Sequence, residues 1–203
     1  SEAPPAIISM FLGDSMLGML KDVAMGSSST RGEEAEILRI GVATLPELAK
    51  DDSDRNRTSP LAFTGNKFEF RMVGSSQSIA LANTVLNTIM ADSFRAFSNY
   101  FEQAGFSAQT VAEVVAETLR SHGRIVFNGN NYEKAWEEEA RRRGLPVINS
   151  AVEAFEALTQ ERSILLFERF GVLSRAECLA RYEIMLETYN KVVSIEAATM
   201  VEM

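Results

Sequence analysis

Apolar and polar positions along the chain change period once, near residue 74. The first part reads in short runs, with period 2 or none apart from one short helical stretch, and the second in long stretches with period 3.6. The run Ala6 to Leu12 is apolar and isoleucine-rich, which predicts a buried strand. Gly13 breaks it, and Asp14 is the expected N-cap of a short helix over 15–25, with Met16, Leu17, Leu20 and Val23 at helical spacing. Residues 26–32 read as a flexible Gly/Ser linker, 36–42 as a strand, Leu45-Pro46 as a turn, and 51–60 as a polar loop. Residues 66–72 alternate strictly and predict a strand with Phe68, Phe70 and Met72 on one face and Lys67, Glu69 and Arg71 on the other.

From Ser75 the spacing of Ile79, Leu81, Val85, Leu86, Ile89, Met90, Phe94 and Phe97 predicts a long, largely buried helix ending near Gly105, with Ser75 and Ser76 available as caps. Ser107 caps the next helix, which runs to about Ser121. Asn128-Gly129 marks a turn, and Tyr132 to Arg143 a highly charged helix stopped by Gly144 and Pro146. Its Glu137-Glu138-Glu139 precede Arg141-Arg142-Arg143, the order that suits the helix dipole. Further helices are expected over 150–159, 161–170 and 175–203, the last opened by a capping box of Ser174 and Glu177. The fold class this predicts is α+β. Strands and loops fill residues 1–74, and helices fill 75–203.

Composition narrows the function classes. A net charge of −8 and a pI near 4.9 argue against a broad nucleic-acid or anionic-membrane surface. No run approaches the ~18 apolar residues of a membrane span. The single Cys178 excludes an internal disulfide and is compatible with a reducing cytoplasm. Lying in a helical pattern, Cys178 reads as a buried or neutral thiol. The lone His122 reads as a helix-end residue rather than a ligand. Both ends read as cut, because the chain opens inside a motif and closes inside an uninterrupted helical pattern.

The charged face of 66–72 admits two readings. Three charges in the order +, −, + at about 6–7 Å spacing describe either a solvated salt-bridged ladder or the wall of a site for anionic ligands. The neighbourhood is informative. Glu2-Ala3-Pro4, then Asn56-Arg57-Thr58-Ser59, then Lys67-Phe68-Glu69-Phe70-Arg71 together resemble the second half of a glutamine synthetase active site. The wording of residues 54–67 resembles the large type III branch. Phe127-Asn128-Gly129, Arg143-Gly144-Leu145-Pro146 and Arg181-Tyr182-Glu183-Ile184 extend that resemblance over essentially the whole chain.

The resemblance implies strands from the closing part of a glutamine-synthetase-type catalytic barrel, followed by a mostly helical bundle. It implies an ATP-dependent ligase that makes glutamine from glutamate and ammonium through γ-glutamyl phosphate, with Mg2+ or Mn2+ as cofactor. It also implies a cytoplasmic protein assembled as a homo-oligomeric ring. Residue by residue, Glu69 matches the metal-binding glutamate, and Arg71 the arginine that holds glutamate and the γ-phosphate. Arg57 matches the arginine on the nucleotide phosphates, Lys67 a basic nucleotide contact, and Glu2 the flap glutamate that accepts the ammonium proton. One position departs. Type I enzymes carry an arginine five residues after the Asn-Arg arginine, where Ala62 stands here, and Arg55 is a candidate to replace it. The remainder of such a site lies outside this sequence, so the chain alone is expected to be inactive. The alternative is a non-catalytic helical assembly or interaction module with a solvated charged strand. A distant glutamylcysteine-ligase-type relative would lack the Asn-Arg-Thr-Ser and Lys-Phe-Glu-Phe-Arg combination.

Overall fold

A computed structural model describes residues 7–25, the backbone of 37–38 and 48–49, and residues 59–72, 74 and 77–202. The expected linker 26–32, most of the loop 51–60, and the caps Ser75 and Ser76 lie outside the described residues. The described chain is mostly helical with a small three-stranded sheet, so the α+β class holds. In order it forms β1 (Met10–Phe11), α1 (Asp14–Ala24), β2 (Ile37–Leu38), β3 (Leu48–Ala49), β4 (Leu61–Phe63), β5 (Phe68–Phe70), α2 (Ala80–Ala104), α3 (Ala108–His122), α4 (Lys134–Arg142), α5 (Ala151–Phe155), α6 (Glu161–Arg169) and α7 (Arg175–Glu202).

Two compact units are distinguishable. The first comprises residues 1–75 and 100–147, the second 76–99 and 148–203. In the first, the sheet runs β1-β4-β5, with β1 parallel to β4 and β4 antiparallel to β5. The expected strand 6–12 is ladder-paired only at Met10 and Phe11, although Ile7, Ser9 and Leu12 are buried around it. Strand β4 was not legible in the sequence: Leu-Ala-Phe is too short to show a period. Strands β2 and β3 pair antiparallel as a separate ribbon, and β3 falls where no strand is expected. Asp14 is not the N-cap. Gly13, at φ +77, turns the chain into α1, and Asp14 is its first helical residue. Its carboxylate still suits the N-terminal end of the dipole.

Helix α3 starts as expected. Ser107 Oγ accepts from Thr110 N–H at 3.1 Å, and Thr110 Oγ1 accepts from Ser107 N–H at 2.9 Å. His122 ends the helix. Helix α4 begins two residues later than the charge pattern suggests, because Asn130 holds a turn through Tyr132 N–H to its Oδ1 at 2.9 Å. The core of this unit is Ile7, Trp136, Ala140 and Leu145, flanked by Ile125, Phe127 and Val147. Trp136 stacks on Phe127 with ring centroids 3.8 Å apart and planes 10° apart. The Arg143 guanidinium lies over both rings. Burying side chains of this size contributes about 1.5–3 kcal/mol each.

The second unit packs Ile164, Phe167, Leu173 and Cys178, with Val85 and Leu158 against them. The capping box of α7 is present: Ser174 N–H donates to Glu177 Oε2 at 2.8 Å, and Glu177 N–H donates to Ser174 Oγ at 3.3 Å. The helix expected over 150–159 ends at Phe155 and continues as one 3-10 turn. The expectation for α2 needs correcting. The helix forms, but it starts at Ala80 with Ser78 Oγ accepting from Ala80 N–H at 3.2 Å, and only Thr88 along it is buried. Ile79, Ile89, Met90, Phe94 and Phe97 are exposed. Period 3.6 establishes a helix with apolar positions; what covers them depends on neighbours that periodicity does not specify.

Candidate functional site

The site is built on β5 and the turn before it. Strand β4 returns as β5 through residues 64–67, where Gly65 takes φ +96 and Thr64 N–H donates to Lys67 O at 2.9 Å. Beyond the strand, Arg71 N–H donates to Pro60 O at 2.7 Å, so the pairing extends on both sides of the three ladder residues. Lys67, Glu69 and Arg71 share a face, as period 2 predicts. Lys67 Nζ lies 3.1 Å from Glu69 Oε1, and Arg71 Nη2 lies 3.0 Å from Glu69 Oε2, with Arg71 Nε at 3.3 Å from the same oxygen. Each carboxylate oxygen therefore has a cation of its own. Arg71 first, and Lys67 second, hold the Glu69 carboxyl below the ordinary carboxylate range.

Exposure on this strand departs from the usual polar-out, apolar-in arrangement. On the charged side the Arg71 side chain is only 19% exposed, and Ala62, paired with Glu69, is fully buried. On the apolar side Phe68, Phe70 and Met72 are all exposed. Phe63 touches Phe68 with ring centroids 5.3 Å apart. A merely solvated ladder would put the charges outward and the phenylalanines inward. Here the phenylalanines lie outward, and among the charges Arg71 is enclosed while Lys67 is 65% exposed.

Of the residues singled out in the sequence, Lys67, Glu69 and Arg71 come together. Glu2, Arg55 and Arg57 lie outside the described residues. Two positions that the sequence singles out without a structural role meet the same sheet. Ala62 is the cross-strand partner of Glu69, and Asn128 clamps the end of β1. The signal for Asn128 was the Asn-rich run 128–131, legible only as a turn.

As a metal centre the described residues are incomplete. Glu69 offers a hard oxygen donor, but both its oxygens face cations, and no group of three His, Cys, Asp or Glu among the described residues could hold an ion. Glu69 is therefore a single oxygen donor among the described residues. No helix among the described residues is long and apolar enough to cross a membrane.

Comparison with known proteins covers the whole chain. Residues 110–203 match the glutamine synthetase C-terminal domain. The chain is 41% identical over its full length to a type-3 glutamine synthetase of Dictyostelium discoideum. It is 37% identical over its full length to a glutamine synthetase of Butyrivibrio fibrisolvens, and 36% identical over 98% of its length to one of Bacteroides fragilis. It spans only 28–29% of the length of these relatives. The chain belongs to the glutamine synthetase family, type III branch, as a segment whose carboxyl half is the family's C-terminal domain.

Proposed function

We propose that this chain contributes the second half of the active site of an ATP-dependent ligase that joins ammonia to glutamate through γ-glutamyl phosphate. The observation that carries the reading is the row of Lys67, Glu69 and Arg71 on one face of β5, with a cation on each Glu69 oxygen and Arg71 only 19% exposed. Phosphoryl transfer to a carboxylate accumulates negative charge, and a guanidinium fixed in direction holds such oxygens better than a mobile ammonium. Arg71, anchored through both its backbone N–H and its bond to Glu69, suits the glutamate carboxylate and the transferred phosphoryl group. Lys67, 65% exposed and on a flexible stem, suits a looser nucleotide phosphate contact. Arg57 and Arg55 are assigned to the nucleotide phosphates, and Glu2 to accepting the ammonium proton, on family resemblance.

Glu69 is assigned one ligand position on Mg2+ or Mn2+. The other ligands would come from sequence that the relatives have beyond this segment. Bound metal would neutralise the triphosphate and polarise the γ-phosphate. Residues 1–74 are then the catalytic strands and loops of a barrel, and 75–203 the helical region. A cytoplasmic homo-oligomeric ring completes the reading. A second reading, a helical assembly module, is favoured for the chain by itself by the exposed apolar positions of α2 and α7.

The test is glutamine formation by the full-length protein and its Glu69→Gln variant. Loss of at least about a hundredfold in kcat, of the size typical when a charge-stabilising group is removed, supports the reading. Near-normal turnover rejects it. The 203-residue chain alone should form no glutamine; ATP-dependent amide formation by it would show that half a site suffices.

A further inference from the structure

The sheet that carries Glu69 does not end at β1. On the free edge of β1, Val126 bridges to Met10 in parallel, and Phe127 N–H donates to Met10 O at 2.9 Å. One continuous row therefore runs Val126, Met10, Leu61, Phe70. The adjacent row runs Phe11, Ala62, Glu69. At the end of the second row β1 stops, and the chain turns through Leu12 and Gly13, both buried, into α1. Their two N–H groups have left the ladder at this point, and unpaired buried donors are expensive.

Asn128 meets them. Its side-chain Oδ1 accepts from Leu12 N–H at 3.1 Å and from Gly13 N–H at 3.2 Å, and its Nδ2 donates to Asp14 Oδ1 at 3.0 Å. On the other side of Met10, Asn131 Nδ2 donates to the buried Ser9 Oγ at 2.7 Å. The two asparagines thus bracket Met10 from one loop. That loop is held stiffly. The tip of the Phe127 ring meets Gly129, where an added Cβ would lie 2.5 Å from Cζ, and the ring stacks on Trp136. Arg143 Nη1 donates to Val126 O at 2.9 Å.

We infer that Asn128 is a positioning residue for the Glu69 strand. It locks the end of β1, and so fixes where Ala62 and Glu69 stand in the same row, about two strand spacings or ~10 Å away. A parallel pair of two residues has little register specificity of its own, so an external clamp decides its slide. The clamp lies within the stretch that matches the C-terminal domain, which gives that domain a direct part in placing Glu69. This rests on the proposal that Glu69 serves the ligase site.

The experiment uses the full-length protein with Asn128→Ala, Asn128→Asp, and the exchange Asn128→Asp with Asp14→Asn. Asn128→Asp keeps the acceptor for Leu12 and Gly13 but sets a carboxylate against Asp14, and the exchange restores one donor and one acceptor in reversed order. At a temperature well below unfolding, both single variants should raise KM for glutamate and ATP at least about fivefold, and the exchange should bring it back within about twofold. A lower Tm with unchanged KM would make Asn128 structural only and overturn the inference. So would an exchange variant no better than Asn128→Asp. If Asn128→Ala does not fold, the Asp pair decides alone. Glu69→Gln run in parallel separates the failures: normal turnover there sinks the ligase reading, whereas its loss beside an unmoved KM in the Asn128 variants sinks only the positioning role.

Discussion

Ala62 stands directly across the antiparallel pair from Glu69, and its methyl group is fully buried on the face that carries Lys67 and Arg71. Cross-strand partners project to the same side of a sheet, within roughly 5 Å of each other. A long cation at 62 would therefore have to displace packed neighbours and sit beside two positive charges. The arginine expected here by resemblance to type I enzymes would find this fully buried position filled. Glu69 instead takes both of its cations from its own strand, two residues before it and two after.

Ala62→Arg should consequently destabilise the full-length protein by at least about 2 kcal/mol, through overpacking of a fully buried position. Ala62→Ser should change stability by less than about 1 kcal/mol. Denaturant unfolding of the two variants gives the comparison. An arginine accommodated as easily as serine would show that the enclosure of this face is not tight.

Acid should loosen the loop behind the clamp. Arg142 first, then Arg143, hold the Glu139 carboxyl down to about 2. Arg143 Nε reaches Glu139 Oε1 at 2.6 Å while its guanidinium lies over Trp136. A carboxyl depressed in the folded state stabilises fully above its ordinary value of 4.5 and loses that contribution as pH falls towards about 2. Emission from Trp136, the chain's single tryptophan, should shift over that window and not over pH 5–8. Glu139→Gln should remove the step. A step of equal size in that variant would assign it to another carboxylate.

Cys178 should behave as an inert core thiol. It is fully buried, and desolvation, followed by the nearby Glu168 and Glu177 carboxylates, raises its pKa. Thiolate is the reactive form, so labelling by a disulfide reagent at pH 8 should be slow in the native protein and reach one equivalent per chain after denaturation. Rapid native labelling would mean that the packing around Ile164, Phe167 and Leu173 opens readily.

The 203-residue chain by itself should associate. Helix α7 is 28 residues long, about 42 Å at 1.5 Å per residue. Ile184, Tyr189, Val192, Ile195 and Met200 along it are exposed, as are Ile89, Met90 and Phe94 on α2. Apolar surface left in this state favours self-association. Light scattering at high concentration should report a dimer or larger species, shifted towards monomer by Ile184→Gln with Ile195→Gln. A monodisperse species near 22.4 kDa at high concentration would overturn the expectation.

What the sequence determined by itself is local. Period 2 put Lys67, Glu69 and Arg71 on one face. Period 3.6 found the helices, and the Ser107, Ser174 and Gly144 signals marked where several begin and end. These depend on neighbours within about one turn, and residue chemistry specifies them directly. The motifs around Asn56, Glu69 and Asn128 carried the family for a similar reason: they are contiguous words. The tertiary structure decided what meets across distance. Asn128 reaches Leu12 and Gly13 from more than a hundred residues away, and Ala62 lies beneath Glu69 only once β4 turns back as β5. The same holds for exposure. Phe94 and Phe68 are as apolar as any core residue, yet both lie open in this fold. Side-chain chemistry states what a residue would bury against, and only the arrangement of the elements supplies, or withholds, the partner.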